Sequence, residues 1–116
     1  MANYTIYHNP RCSKSRQTLA LLEEKGIDPD IVLYLEDNLS ADQIKQLLTK
    51  LEISARDLLR KGESAYKELG LSDTSLSEDA LINAMVEAPK LIERPIVVKG
   101  NQAILGRPPE NVLSII

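Results

Sequence analysis

The sequence predicts an α/β fold in which a mixed four-stranded sheet is flanked by helices. Two observations carry this prediction. Short runs rich in branched aliphatic and tyrosine residues, typical of strands, occur near both ends of the chain. Between them, over about residues 40–88, leucine and isoleucine recur at helical spacing. The predicted order is therefore βαβ, then a helical insert, then ββα.

The first predicted unit consists of a strand, a helix and a second strand. These elements cover residues 4–7, 13–25 and 31–35. Leu19 and Leu22 lie three residues apart, as one face of a helix requires, and Gly26 supplies a stop. The connection is long enough for a parallel crossover between the two strands.

The insert is predicted to hold several short helices with identifiable ends. Ser40 and Gln43 form a capping box for the first of them. Ser54 and Ser77 can cap two others, and a further helix covers residues 65–69. We therefore expect this segment to be entirely helical.

The last predicted unit is a hairpin followed by a short terminal helix. Strands at 96–98 and 103–105 flank Gly100 and Asn101, which both accept positive φ. The run Pro-Pro-Glu at 108–110 then opens the terminal helix. A βαβ unit joined to a ββα unit is the plan of thioredoxin, here with helices in the joining segment. We expect a single domain over residues 1–116.

Composition excludes several classes of function. The 116 residues carry 14 Lys and Arg against 17 Asp and Glu, a net charge of −3, which disfavours nucleic-acid and anionic-membrane partners. The chain shows no transmembrane-length apolar run and no signal-peptide pattern, so we expect a cytoplasmic protein. One Cys and one His make at most half a tetrahedral zinc site, so no metal is expected. No glycine-rich phosphate loop follows a strand, so no bound cofactor is expected either. The leucines of the insert read as core, which favours a monomer.

Cys12 is the candidate reactive group. It lies in the run HNPRCSKSR, where a predicted strand ends and a helix begins. Free N–H groups and the dipole of a helix N-terminus stabilise a thiolate, and Arg11, Lys14 and Arg16 add positive charge. A pKa lowered by about two units would leave roughly three-quarters of the thiol ionised at neutral pH. A buried, inert cysteine is the alternative, but a loop with three basic residues is a poor place for core packing.

Ser15 stands where a Cys-x-x-Cys motif would have its second cysteine. Because the chain has no other thiol, an oxidised Cys12 cannot be resolved internally. Any redox cycle must therefore use a thiol from outside, such as glutathione or a partner protein.

Three arginines are candidates for an anion pocket. Arg94 precedes Pro95, and in a thioredoxin-like fold the proline at the start of this strand is typically cis and faces the active-site cysteine. Arg107 lies one strand later, and Arg60 ends the helix DLLRKGE. Convergent arginines would bind a tetrahedral oxyanion through charge-assisted hydrogen bonds. His8, four residues before Cys12, could contact the sulfur or a loop carbonyl.

These residues resemble a known family. HNPRCSKSR is similar to the His-x3-Cys-x3-Arg loop of the glutaredoxin-dependent arsenate reductases, and LLRKGE, ERPIVV and GRPPE follow in order. The chain resembles a short member of that family. The resemblance implies that Cys12 is the nucleophile that forms an adduct with arsenate, and that His8 and Arg16 lie around the thiolate and help to lower its pKa. The arginines implied to hold the oxyanion are Arg60, Arg94 and Arg107.

The resemblance also implies the thiol partners. Glutathione would act as a cosubstrate that attacks the adduct and reduces arsenate to arsenite. Glutaredoxin would be a transient partner that resolves the disulfide between Cys12 and glutathione.

Two other interpretations share the same fold. One is a monothiol, glutaredoxin-like thiol transferase that works on glutathione mixed disulfides. The other is a transcription regulator of the Spx type, which binds RNA polymerase. Many such regulators carry a Cys-x-x-Cys switch in this loop, and Ser15 removes it here.

Overall fold

The sheet of the computed structural model confirms the predicted α/β class. The structure describes residues 4–36 and 39–116; residues 1–3, 37 and 38 lie outside this description. The strands are β1 Tyr4–Tyr7, β2 Asp30–Val32, β3 Ile96–Lys99 and β4 Gln102–Leu105, in the order β2-β1-β3-β4. β1 is parallel to β2 and antiparallel to β3, and β3 is antiparallel to β4, so the sheet is mixed.

The helices follow the predicted order. They are α1 Ser13–Glu24, α2 Ala41–Leu51, α3 Ala55–Leu58, α4 Ser64–Glu68 and α5 Glu78–Glu87, with 3-10 helices at Pro89–Leu91 and Pro109–Ser114. The terminal helix is thus a 3-10 helix, and the one at Pro89–Leu91 was not predicted. Among the described residues, none of these helices has the length and apolar character needed to span a bilayer.

The second strand is shorter than predicted. It ends at Val32, and the chain then turns, with the N–H of Glu36 donating to the carbonyl of Leu33 at 2.9 Å. Tyr34 in this turn is fully buried. The apolar run in the sequence extends beyond the strand because it includes this buried turn residue. The spacing of apolar residues alone does not distinguish a buried turn from a strand.

The chain divides into two compact units. One, called the sheet unit here, contains both ends of the chain, up to residue 37 and from Arg94 onward. The other, the helical unit, covers residues 38–93 and contains the predicted insert. The expectation of a single domain over residues 1–116 stays a prediction.

The core of the sheet unit lies between the sheet and two helical segments. Its buried members come from β1, α1, β3, the terminal 3-10 helix and the residue that follows that helix: Ile6, Leu22, Val97, Val112 and Ile115. β1 ends at Tyr7 and α1 begins at Ser13, so the loop carrying Cys12 joins two elements that this core holds in place. The sheet unit thus provides a rigid support for the loop.

The N-terminal caps of three helices in the helical unit were predicted correctly, whereas the Ser54-capped helix ends at Leu58 rather than at Gly62. Ser40 accepts a hydrogen bond from the N–H of Gln43 at 3.2 Å, and Gln43 Oε1 accepts one from the N–H of Ser40 at 2.8 Å. This confirms the capping box of α2. Ser54 and Ser77 cap α3 and α5 in the same way, each with its side-chain oxygen as the acceptor.

The hairpin turn differs from the expectation in one respect. Gly100 has a φ of +59°, but Asn101 is not among the residues with positive φ. A turn with positive φ only at its first central residue has the character of type II′, which places glycine there. Gly100 is therefore the residue that the turn requires.

Candidate functional site

The loop of residues 8–12 presents Cys12 at the N-terminus of α1. Cys12 is the N-cap residue, in an extended conformation, and its side chain is partly exposed. Asn9 shapes the loop, since its carbonyl accepts a hydrogen bond from the N–H of Cys12 and its Oδ1 accepts one from the N–H of Arg11, both at 3.0 Å. The carbonyl of Cys12 already accepts the first helical bond, from the N–H of Arg16. The sulfur therefore faces the free N–H groups of the helix end.

The environment of Cys12 lowers the pKa of its thiol. Partial burial alone raises this pKa, because it disfavours the thiolate. That effect is outweighed by the N–H of Ser15, the Arg94 side chain and the N–H of Lys14, which stabilise the thiolate, together with the charge of Arg94. The helix end and one arginine thus stabilise the thiolate, the form that acts as a nucleophile.

His8 is bound to Ser15. Its Nδ1 lies 2.6 Å from Ser15 Oγ, which also accepts a hydrogen bond from the N–H of Asn9 at 3.0 Å. Because Ser15 Oγ accepts that bond, its own proton is available for His8 Nδ1. Burial, and then the charge of Arg16, lower the pKa of His8. The imidazole is therefore neutral at neutral pH.

The resemblance implied that His8 and Arg16 lie around the thiolate and help to lower its pKa, and these roles stay a prediction. Arg16 is exposed, and its Nη1 donates to the carbonyl of Pro10 at 3.0 Å. In the described part of the chain, neither Arg16 nor His8 is among the groups that shift the pKa of Cys12. The charge that stabilises the thiolate comes from Arg94, while Arg16 acts on His8.

Arg94 and Arg107 contact each other in the sheet unit. The side chain and charge of Arg94 act on the Cys12 sulfur and lower the pKa of its thiol. Arg107 Nη1 donates to the carbonyl of Arg94 at 3.4 Å. The Arg94–Pro95 peptide bond is cis, at the position named as a cis-proline candidate, and Arg107–Pro108 is a second cis bond that the sequence analysis did not single out.

A tight contact lies behind these arginines. Gly106 donates its N–H to the carbonyl of Pro95 at 2.9 Å. A Cβ at Gly106 would lie 2.6 Å from Thr18 Oγ1 and 2.8 Å from Pro95 Cγ, so no side chain fits there. Thr18 is fully buried on α1, and its hydroxyl lies 2.8 Å from the carbonyl of Lys14 and 3.3 Å from that of Gly106.

Arg60, the third predicted arginine, belongs to the helical unit. Its side-chain Nε lies 3.7 Å from Glu63 Oε1 and 3.8 Å from Glu93 Oε1. Its backbone N–H donates a hydrogen bond to the carbonyl of Leu91 at 2.7 Å. In the sheet unit, Arg94 acts on the Cys12 thiol and Arg107 contacts the carbonyl of Arg94. The place of Arg60 in the same pocket stays a prediction.

Comparison with known proteins identifies the family. A model of the ArsC family matches residues 7–115. The chain belongs to the ArsC family. It is 60% identical over 112 residues to the uncharacterized protein YfgD of Escherichia coli strain K12, covering 96% of this chain and 94% of that protein. It is 50% identical over 112 residues to an arsenate reductase of Haemophilus influenzae, covering 96% and 97%.

A solved structure agrees with this assignment to the ArsC family. The arsenate reductase from Vibrio cholerae matches with a TM-score of 0.96 and 55% identity, over 97% of both chains. The resemblance drawn from residues 8–16 and the three later segments is confirmed.

The sequence analysis missed several residues of this ArsC site. Ser15 was treated as a missing cysteine, yet it is fully buried and holds His8. Thr18 and Gly106 were not considered. Gly106 precedes Arg107 at the end of a strand. A glycine at such a position often marks a close approach of two backbone segments, so the sequence did contain a signal for this contact.

The groups around Cys12 in this ArsC chain are hydrogen-bond donors rather than metal ligands. In residues 4–36 and 39–116, no three His, Cys, Asp or Glu side chains form a group that could hold a metal ion. The groups that contact Cys12 are N–H donors and a guanidinium. Such donors suit an anion.

Proposed function

We propose that this protein is an arsenate reductase in which Cys12 is the nucleophile. The observation that carries the proposal is the Cys12 thiol at the N-terminus of α1, with its pKa lowered by the helix end and by Arg94. Such a site combines a nucleophile with donors for an anion. Relatives named arsenate reductase that align over nearly the whole chain support the substrate.

The first proposed step forms the adduct. The Cys12 thiolate attacks arsenic, an arsenic–sulfur bond forms, and one oxygen leaves as water after taking up protons. Arsenic is still As(V) at this stage. Arg94 and Arg107 donate hydrogen bonds to the remaining oxygens, and the resemblance adds Arg60 as a third donor. A guanidinium suits this role because its fork of N–H groups matches a tetrahedral oxyanion.

The second proposed step transfers the electrons. The thiolate of glutathione attacks the Cys12 sulfur, so that a sulfur–sulfur bond forms and the arsenic–sulfur bond breaks. The electron pair of the broken bond stays on arsenic, which leaves as arsenite, As(III). Two thiols have then lost two electrons in total, as the disulfide between Cys12 and glutathione.

The proposed cycle closes with a thiol from outside the chain. A glutaredoxin thiolate attacks the glutathione sulfur and releases the Cys12 thiolate. The single cysteine of the sequence supports this scheme, because no internal thiol can do the same. Glutathione is therefore a cosubstrate and glutaredoxin a transient partner. We propose that the protein acts as a monomer in the cytoplasm, where thiols stay reduced.

The test is arsenate reduction by the purified protein with glutathione, glutaredoxin and an NADPH-coupled reductase. Cys12→Ser should abolish turnover, whereas Ser13→Ala, which changes the adjacent exposed residue, should retain it. Turnover retained by Cys12→Ser would overturn the proposal.

A second assay separates this proposal from the glutaredoxin-like thiol transferase. Arg107→Ala should impair arsenate turnover far more than the exchange of a glutathione mixed disulfide, because only arsenate needs an oxyanion pocket. Equal losses in both assays would favour the thiol transferase.

A further inference from the structure

Thr18 and Gly106 contact each other, although neither residue takes part in the proposed reaction steps. Thr18 lies in the second turn of α1, and Gly106 directly follows β4. Both are buried. The distances of 2.6 and 2.9 Å from an added Cβ at Gly106 to Thr18 Oγ1 and Cγ2 show how closely this backbone approaches the helix.

The contact connects the two segments that surround the Cys12 sulfur. On one side, the Thr18 hydroxyl reaches the carbonyl of Lys14, in the helical turn whose N–H groups bind the sulfur. On the other side, the N–H of Gly106 bonds to the carbonyl of Pro95, which follows Arg94. The same hydroxyl also reaches the carbonyl of Gly106 at 3.3 Å.

We propose that Thr18 and Gly106 are positioning residues, which set the separation between the first turn of α1 and the Arg94–Pro95 segment so that Arg94 stays near enough to the Cys12 sulfur to stabilise its thiolate. The inference deepens the proposed function and rests on it for the role of Cys12 as nucleophile. Neither residue touches the sulfur. Their effect on the reaction passes through Arg94 and through the helix end.

The residue types fit this role. Any Cβ at position 106 would meet Thr18 Oγ1 and Pro95 Cγ within 3 Å, so the two segments would have to move apart. At position 18, the single hydroxyl proton can be shared between two carbonyl oxygens, those of Lys14 and Gly106. A valine of nearly the same shape would place a methyl group there and leave the carbonyl of Gly106 without this donor.

The experiment measures the ionisation of Cys12, which is the only thiol in the chain. Its thiolate absorbance and its rate of alkylation by iodoacetamide are followed against pH in the wild type, Thr18→Val and Gly106→Ala. Both variants should titrate at higher pH than the wild type and should be alkylated about fivefold more slowly at neutral pH, because a charge-assisted hydrogen bond to the thiolate is weakened. Thr18→Ser keeps the hydroxyl and should restore the wild-type profile.

Matched controls make the same substitutions at positions that lie away from the contact between Thr18 and Gly106. Thr49 makes the same hydroxyl bond to the carbonyl four residues earlier, but on an exposed face of α2, so Thr49→Val should leave the Cys12 profile unchanged. Gly62 has no atom within 4 Å of an added Cβ, so Gly62→Ala should also leave it unchanged. Thermal unfolding of every variant identifies any that do not fold. If Gly106→Ala does not fold, Thr18→Val decides the outcome.

The outcomes separate this inference from the proposed function. A folded Thr18→Val with the wild-type titration of Cys12 overturns the inference, even if arsenate is reduced. If the Cys12 titration is shifted in the variants but the wild-type protein does not reduce arsenate, the positioning role is supported and arsenate is excluded as the substrate.

Discussion

Two arginines near Cys12 act on different titratable groups. Burial raises the pKa of Cys12, whereas the N–H of Ser15 and the side chain of Arg94 lower it. Arg16 adds to the effect of burial and lowers the pKa of His8. Since the chain has one Cys and one His, each pKa can be measured without overlap.

Arg94→Gln should raise the pKa of Cys12, while Arg16→Gln should raise that of His8 and leave Cys12 nearly unchanged. Charge acts most strongly on the group that it contacts. Thiolate absorbance reports on Cys12, and the imidazole proton shifts in NMR spectra report on His8. A larger rise of the Cys12 pKa in Arg16→Gln than in Arg94→Gln would contradict this assignment.

The lowered pKa of His8 makes stability depend on pH in the acidic range. Between its ordinary value of 6.5 and its lower value in the folded protein, the unfolded chain binds more protons than the folded one. The stabilising contribution is therefore fully present above pH 6.5 and is lost as the pH falls through the folded pKa. Burial and Arg16 are the causes, since both disfavour a charged imidazole.

We expect the free energy of unfolding of the wild type to fall on acidification below neutral pH more steeply than that of His8→Gln. The glutamine does not titrate and can still bond to Ser15. Urea titrations at a series of pH values measure the difference. Parallel pH dependence in the two proteins would show that His8 contributes nothing to it.

At the scale of single elements, the end residues of α2 deserve a direct test. Ser40 and Gln43 exchange two hydrogen bonds, and both N–H groups would otherwise lack an intrahelical partner. The helix presents Ile44, Leu47 and Leu48 to the core of the helical unit. Its capping and its apolar face were both readable in the sequence.

Ser40→Ala should lower the free energy of unfolding by about 1 kcal/mol, the usual effect of losing an N-cap side chain. Ser72→Ala, in an exposed turn, should change it by less than about 0.5 kcal/mol. Chemical denaturation measures both. Equal changes in the two variants would show that the capping box does not stabilise α2.

At the scale of the whole molecule, the open question is whether the sheet unit and the helical unit unfold together. Leu22 is fully buried in the sheet unit and Ile44 in the helical unit. Each should stabilise its own unit by burial, and truncation of such a side chain costs about 2–5 kcal/mol. The predicted single domain requires one common transition.

We expect Leu22→Ala and Ile44→Ala each to lower one common unfolding midpoint, seen at amides in both units. Denaturant titration followed by residue-resolved NMR makes the measurement, with Ser72→Ala as the reference. If Ile44→Ala lowers the midpoint of residues 38–93 alone, the units are separate domains and the single-domain prediction is wrong.

The elements that could be predicted were those with local causes. The capping serines of three helices, the glycine of the hairpin and the spacing of leucines each act within a few residues. The end of β2 could not be predicted, because the burial of Tyr34 in a turn depends on residues distant in the chain. The 3-10 helix at Pro89–Leu91 was not predicted either.

The sequence by itself determined that the chain has one cysteine at a helix N-terminus, and from this it predicted the reactive group and the use of an external thiol, because both follow from counting and from local backbone chemistry. Only the tertiary structure decided which charge reaches the sulfur. Arg16 is four residues from Cys12 and yet lowers the pKa of His8, whereas Arg94, in the segment that precedes β3, lowers the pKa of Cys12. Electrostatic effects depend on distance in space, and the packing of Gly106 against Thr18 holds that distance.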